Sequence, residues 1–309
     1  MCSFVRIHRL LFLLFLCLLS ACSSAPKRVM LVSDVTNAAY SQLDEANKRI
    51  IEGNYVRAYN LLTGAYKRAL SVDNAGLLCK ISLSGVVLKI SNPSLPEGNP
   101  DAEEDDDDFP SGSFLDLPVE SIMSQAEKFA RRSDSSERAF LESLCLVYEV
   151  RMLLESERAS SGDGVVSNPS SYLSKLDSVK KTVSKEPYYY AHLWRTQGDV
   201  FMASGRYLDA QKSFAEAAKI HTKERYLVEI GLDWYCIARS YSMAGRKSDA
   251  LLAIQTALKY DRDAENSAGI AADYKAYAKI LLKGTPSEED KKLAGELDAW
   301  SEKILEARM

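Results

Sequence analysis

A repeat with a period of 40 residues constrains the fold of this chain more than any other feature. The pattern begins at Trp194 and returns at Trp234 with the same spacing of bulky and small side chains. The first copy comprises Trp194, Gln197, Gly198, Phe201, Gly205, Tyr207, Ala210, Phe214 and Ala217. The second copy comprises Trp234, Ile237, Ala238, Tyr241, Gly245, Lys247, Ala250, Ile254 and Ala257. Apolar residues at helical spacing, repeated at such a period, predict stacked helix pairs.

Each position of the repeat has a physical role in a helix pair. Small residues are needed where the two helices cross closely, and they are Gly198, Ala210, Ala238 and Ala250. Bulky residues fill the space between neighbouring helices, and they are Trp194, Phe201, Phe214, Trp234, Tyr241 and Ile254. Gly205 and Gly245 end the first helix of each pair, where a left-handed conformation suits glycine. Because one pair cannot bury its own apolar face, the pairs are expected to stack.

This spacing resembles the tetratricopeptide repeat, whose pattern is W-x2-L-G-x2-Y followed by A-x3-F, with a usual period of about 34. The clearest units are 191–224 and 231–264, and their extra residues fit a longer second helix or connector around HTKERYLVEI. The resemblance implies an all-α solenoid of stacked antiparallel helix pairs. We therefore predict one helical-repeat domain over 35–309, closed by capping helices over 268–308.

The N-terminal part matches the repeat less closely. Its second helix keeps the spacing at Gly53, Tyr55, Ala58, Leu62 and Ala65. The preceding helix departs from the pattern, with Gln42 where tryptophan is expected. Residues 75–90 predict a further helix, with a strand around Gly85 as the alternative, and 117–183 predicts helix pairs without the signature.

Residues 91–117 differ in kind from the helical segments on either side. They are rich in proline and glycine and include the acidic run Glu103–Asp108. Such a stretch cannot bury enough apolar surface to offset its ordering entropy, so we predict a long acidic loop. A calcium site is the alternative, but the spacing of an EF-hand is absent.

The N-terminus has the pattern of an export signal. Arg6, His8 and Arg9 precede an apolar run of about 10 residues, which is too short to span a bilayer. The sequence LSAC, which ends at Cys22, resembles the lipobox of bacterial lipoproteins. The resemblance implies a signal peptide over 1–21, acylation of Cys22 and a lipidated tether over 22–34. It also implies a lipid anchor on a bacterial membrane, either the outer membrane or the periplasmic face of the inner membrane.

Composition argues against several classes of function. The formal net charge is −4 at pH 7 without a basic stripe, which argues against nucleic-acid binding. The chain has three histidines. His221 has Glu224 three residues later, a spacing that helical metal sites use, but one pair is weak evidence, so we predict no metal and no cofactor. No catalytic motif is recognisable, and we therefore predict no enzymatic activity.

Three cysteines remain after residue 22, and each lies in an apolar helical context. Cys79, Cys145 and Cys236 are predicted to be small buried core residues. A disulfide between Cys79 and Cys145 is the alternative if the compartment is oxidising.

The resemblance also carries over a candidate partner-binding groove, because the first helix of each tetratricopeptide pair lines a concave surface. The groove residues in register are His192, Arg195, Asp199, Met202, Leu232, Tyr235, Arg239, Ser242 and Met243. Arg195 and Arg239 are predicted to pair with carboxylates of a partner, since the guanidinium fork suits that geometry. The tyrosines at 188–190 are either a binding patch or packing residues.

These features favour a membrane-anchored scaffold that binds other proteins of the cell envelope. The lipobox and helical repeats also resemble the lipoprotein component of some TRAP-type transporters. That resemblance implies an accessory role with a periplasmic solute-binding protein and, as a further expectation, a homo-oligomer. A surface adhesin is the third alternative.

Overall fold

The computed structural model describes residues 34–94, 113–160 and 166–307. The signal peptide, Cys22 and most of the acidic loop lie outside the described residues. Within those ranges, no helix combines the length and the apolar character needed to cross a membrane. The chain from Val35 onward forms one compact unit.

Twelve α-helices and no strand occur in the described part of the chain, which confirms the all-α prediction. The N-terminal helices are α1 (Asp34–Ile51), α2 (Tyr55–Ser71), α3 (Ala75–Ser91), α4 (Val119–Arg132), α5 (Ser135–Ser160) and α6 (Pro169–Val183). The C-terminal helices are α7 (Pro187–Ala203), α8 (Tyr207–Glu224), α9 (Leu227–Met243), α10 (Lys247–Asp263), α11 (Ser267–Leu281) and α12 (Glu288–Glu306). Neighbouring helices pack against each other in a repeat-like stack, as a tetratricopeptide-like solenoid would.

The C-terminal half contains three helix pairs in register. The first helices begin at Pro187, Leu227 and Ser267, so the period of 40 continues into the segment that was predicted to cap the stack. Within each pair the two helices pack together, and α8 with α9 and α10 with α11 join the pairs. Gly205 and Gly245 adopt φ values of +72° and +76°, as expected for glycines that end the first helix of a pair.

The predicted packing positions occupy the interior of these pairs. Phe214, Ile254, Ala210, Ala238 and Ala250 are buried. The larger aromatic residues are partly buried around them, and they are Trp194, Phe201, Trp234 and Tyr241. The short cross-over distance predicted for the first pair is also present. A Cβ atom on Gly198 would lie 2.5 Å from Cε1 of Phe214.

Helix α3 forms the centre of the N-terminal half. It is apolar around its whole circumference, which is typical of a helix buried on all sides. It packs against α2, α4 and α5, so the alternative of a strand around Gly85 is wrong. A 3-10 turn at Phe114–Asp116 covers α3, with Phe114 and Leu115 buried beside Gly85. The C-terminal end of the predicted acidic loop is therefore ordered, because its apolar residues find a core to join.

The predicted burial of two cysteines is confirmed. Cys79 on α3 and Cys145 on α5 are buried free thiols, and their Sγ atoms lie 3.8 Å apart. Cys236 is only half-buried.

Candidate functional site

A groove of about 340 Å³ lies between α9 and α11. Four of the predicted groove residues line it from α9, and they are Tyr235, Arg239, Ser242 and Met243. The facing residues on α11 are Ala272, Lys275, Ala276, Lys279 and Ile280. Four of the nine residues therefore line one groove between the second and third pairs, where the first helices of successive pairs lie side by side.

The groove combines basic side chains with apolar contact surface. Arg239, Lys275 and Lys279 are exposed, and none of them forms an ion pair within the described ranges. Met243 is 48% exposed at the end of the same helix as Arg239. Ser242 is held by Lys283, whose ammonium group donates to its backbone oxygen. An extended or helical segment that carries carboxylates fits this chemistry.

The other predicted groove residues lie elsewhere. His192, Arg195 and Leu232 line a smaller cavity of about 190 Å³ together with Tyr148. Met202 is buried and accepts a hydrogen bond from the Ser240 hydroxyl at 3.3 Å. The backbone oxygen of Asp199 accepts from Arg158 at 2.9 Å, and burial raises the pKa of the Asp199 carboxyl. The nine residues thus do not form one continuous surface.

Arg195 lies in a buried ionic cluster. Its Nε and Nη2 atoms donate to Oδ1 of Asp233 at 2.9 and 2.7 Å, and Nη1 lies 2.6 Å from Oε2 of Glu229. Only 6% of Arg195 is exposed. The guanidinium fork therefore has intramolecular partners in place of the partner carboxylates that the sequence predicted for it, and Arg239 alone of the two arginines faces the groove.

Two histidines complete this cluster. Nδ1 of His221 lies 2.6 Å from Oδ2 of Asp233, and since a carboxylate only accepts, the histidine donates. Nδ1 of His192 lies 3.4 Å from the Tyr148 hydroxyl. The Nε2 atoms of both histidines are buried without a hydrogen-bond partner. Glu224, which the sequence placed beside His221, is exposed on the surface.

Burial and neighbouring charges have opposite effects on the pKa values of the groups in this cluster. Burial lowers the pKa of His192 to about 4, so its imidazole is neutral at pH 7. Burial alone would raise the pKa of Glu229, but the Arg195 guanidinium, His192 and His221 together outweigh it, so that pKa lies well below the ordinary value. The cluster therefore contains ionised carboxylates beside at least one neutral imidazole.

A third cavity of about 560 Å³ lies between α1, α7 and the beginning of α9. Its aromatic lining is Tyr40, Tyr188, Tyr189 and Tyr226. The ring of Tyr188 lies 4.4 Å from that of His192, so the cavity wall adjoins the ionic cluster. Of the three tyrosines at 188–190, two line the cavity, while the ring of Tyr190 lies 5.9 Å from that of Trp194.

A second buried polar cluster lies one repeat further along. Asp261 and Asp273 stand 40 residues after His221 and Asp233, and both are buried. The amide of Asn266 donates to Oδ1 of Asp261 at 2.9 Å. Burial raises the pKa of Asp273 to about 9, with the nearby Asp261 carboxylate as the second cause, and burial raises the pKa of Asp261 to about 6. Burial therefore favours the protonated form of Asp273, whose two carboxyl oxygens have no hydrogen-bond partner among the described residues.

The fold and these sites together define a class of helical-repeat protein with a basic groove, an aromatic cavity and a buried ionic cluster. No protein-family model matches the chain, and no curated protein matches it. Sequence reasoning missed Glu229 and Asp233. The available signal was their i, i+4 spacing on the inner face of α9, which places two carboxylates opposite the arginine of α7.

Proposed function

We propose that this chain is a scaffold of the bacterial cell envelope, anchored through lipid on Cys22, and that its α9–α11 groove binds an acidic segment of a partner envelope protein. The role is one of binding, without catalysis. The proposal rests on one observation above the others. The groove presents Arg239, Lys275 and Lys279, none of which forms an ion pair with a carboxylate in the described part of the chain, on a chain whose net charge is negative.

Electrostatics and shape both support an acidic segment as the occupant. Cations that are spaced along a groove attract a complementary charge pattern and accelerate association with it. Guanidinium groups pair with carboxylates in a bidentate geometry, which adds orientation to attraction. Met243 offers polarizable apolar contact at the same surface, and such side chains adapt to several partners. The lipid anchor would keep this groove close to other proteins of the envelope.

A photocrosslinking experiment in intact envelopes tests the proposal. A photoreactive residue replaces Met243 at the groove, and a matched one replaces Leu252, which is 66% exposed on α10 outside it. We expect the photoreactive residue at position 243 to crosslink to one specific partner, and the residue at position 252 not to crosslink to that partner. The captured partner is then purified, and its binding to the wild type is measured as a function of salt.

Charge reversal separates the groove from a general effect of charge. The variant Arg239→Glu, Lys275→Glu, Lys279→Glu should weaken binding by about 100-fold, since like charges at an interface cost several kcal/mol. The control Lys212→Glu, Lys219→Glu, Lys223→Glu makes the same change in net charge on exposed positions of α8. Equal binding by the wild type and the groove variant would show that the groove is not the binding surface.

The aromatic cavity supports a second candidate function. Its volume of about 560 Å³ falls in the range of small-molecule sites, which run from about 300 to 1,000 Å³. Under this proposal the chain is an accessory of a TRAP-type transporter and receives a solute with a periplasmic solute-binding protein. Native mass spectrometry of the protein purified from its own envelope checks this. A retained small molecule that is lost in Tyr188→Ala and kept in Arg239→Glu would favour the accessory role.

A further inference from the structure

The ionic cluster leaves two ring nitrogens unsatisfied at one place. His221 is completely buried, and its Nδ1 is committed to Asp233, which leaves Nε2 without a partner. His192 is 8% exposed, and its Nε2 is also unpartnered. An unpaired buried polar atom is costly, so two of them that converge with a carboxylate indicate a ligand.

The distances match a compact coordination site. One ligand atom from each of His192, His221 and Glu229 lies within 4.8 Å of the other two. Nε2 of His192 and Oε1 of Glu229 are 3.6 Å apart. Ligand atoms around tetrahedral Zn²⁺ are separated by about 3.3 Å, given bonds of about 2.0–2.1 Å. Small rotations of the three side chains would therefore bring the ligand atoms to the separations of a tetrahedral site.

We propose that His192, His221 and Glu229 bind a divalent transition-metal ion of the zinc class. Two imidazole nitrogens and one carboxylate oxygen form a ligand set that zinc prefers. The three ligands come from α7, α8 and α9, so no local sequence motif indicates the site. This proposal replaces the sequence prediction that the chain binds no metal.

The surroundings orient the ligands as metal sites require. A metal-binding histidine usually donates its second ring N–H to a carboxylate, and Asp233 accepts that bond from His221. Arg195 holds Oε2 of Glu229, which turns Oε1 toward His192, with the Tyr188 hydroxyl 3.4 Å from the same oxygen. The two carboxylates of Asp233 and Glu229 face the one guanidinium of Arg195, so a cation bound beside them would meet a second carboxylate charge.

Metal titration of the chelator-treated full chain tests the site. We expect one Zn²⁺ per chain with a micromolar or tighter Kd, and visible d–d absorption of tetrahedral Co²⁺. His192→Gln and His221→Gln should each weaken binding by about 100-fold, since each removes a direct ligand. The matched control is Glu224→Gln, which removes the exposed carboxylate three residues after His221 and should leave the Kd unchanged.

A measurement on the wild type keeps the proposal testable if a histidine variant does not fold. The imidazole ¹⁵N signals of His192 and His221 should both shift at Nε2 when Zn²⁺ is added. Failure of these signals to move, absence of binding at micromolar Zn²⁺, or full binding by both histidine variants would overturn the proposal. The cluster would then be an ion-pair network that stabilises the fold. The groove proposal is unaffected, because Arg239, Lys275 and Lys279 take no part in this site.

Discussion

Two junctions between successive helix pairs have the same backbone and different chemistry. At the first junction, between α8 and α9, His221 contacts Asp233, and Arg195 from α7 forms ion pairs with both Asp233 and Glu229. At the second, between α10 and α11, the equivalent positions hold Asp261 and Asp273. The position of Arg195 is taken by Tyr235, which lines the groove.

The comparison separates features that both junctions of the helical stack share from features that belong to one junction alone. Both junctions keep polar side chains at the same two buried positions, so the stack tolerates them there. At the second junction the Asn266 amide donates to Asp261, while both carboxyl oxygens of Asp273 are buried without a hydrogen-bond partner among the described residues. The first leaves the Nε2 atoms of His192 and His221 unpaired. Unpaired buried atoms therefore occur at both junctions, and the first is the better candidate for a site because its two imidazoles converge with the Glu229 carboxylate.

Loss of Arg195 should have the largest effect on stability. The substitution Arg195→Met leaves Glu229 and Asp233 ionised in the interior without a cation, and breaking a buried pair costs about 3–5 kcal/mol. Urea unfolding at pH 7 measures the free energy of unfolding. The matched control is Tyr235→Phe at the equivalent position of the second junction, which should cost under about 1 kcal/mol. If Arg195→Met has the same free energy of unfolding as the wild type, the first junction, like the second, needs no cation.

The same comparison within the helix pairs predicts an intermediate effect. Gly198 and Phe214 in the first pair correspond to Ala238 and Ile254 in the second. Because a Cβ on Gly198 would lie 2.5 Å from the Phe214 ring, Gly198→Ala should cost about 1–3 kcal/mol through overpacking.

The double variant sharpens this prediction. Gly198→Ala with Phe214→Ile gives the first pair the residues of the second, and it should be more stable than Gly198→Ala alone. Thermal unfolding of Gly198→Ala, Phe214→Ile and the double variant measures the coupling between the two positions. If the free-energy costs of the two single substitutions simply add, the two side chains adapt independently, and Phe214 does not require glycine at position 198.

The sequence was sufficient for the fold because the repeat acts through local spacing. Trp194 and Trp234 establish the period, and the small residues at Gly198 and Ala238 place the helix crossings. For α3 the sequence predicted the helix that the structure shows but left a strand as the alternative, because a helix that is apolar on all sides has little periodicity to distinguish it from a strand.

The candidate site was harder to predict, because it depends on contacts between helices. Arg239 and Met243, which the register places on one face of one helix, line the same groove, and their binding role stays a prediction. The register could not show that Arg195, at the matching position of the preceding pair, meets carboxylates from α9. The pairing of His221 with Asp233 likewise spans a turn, and no spacing rule within one helix anticipates it.

The acidic junction should produce the smallest effect at neutral pH and a distinct dependence on pH. Unfolded aspartates titrate near about 3.9, whereas burial raises the pKa of Asp273 to about 9 in the folded chain. Between these values the folded state binds more protons than the unfolded state, so the pair's contribution to stability falls as pH rises. Asp273→Asn removes this titration while its amide can still donate to Asp261.

The free energy of unfolding of wild type and Asp273→Asn, measured from pH 5 to pH 9, tests this contribution. The wild type should lose stability relative to the variant as pH rises, and the variant should be the more stable of the two near pH 9. Asp233→Asn is the matched change at the first junction, and it should destabilise the chain at pH 7, because Asp233 is paired with Arg195. Parallel pH profiles for wild type and Asp273→Asn would mean that folding does not raise the pKa of Asp273, and the two junctions would then differ in composition without differing in protonation.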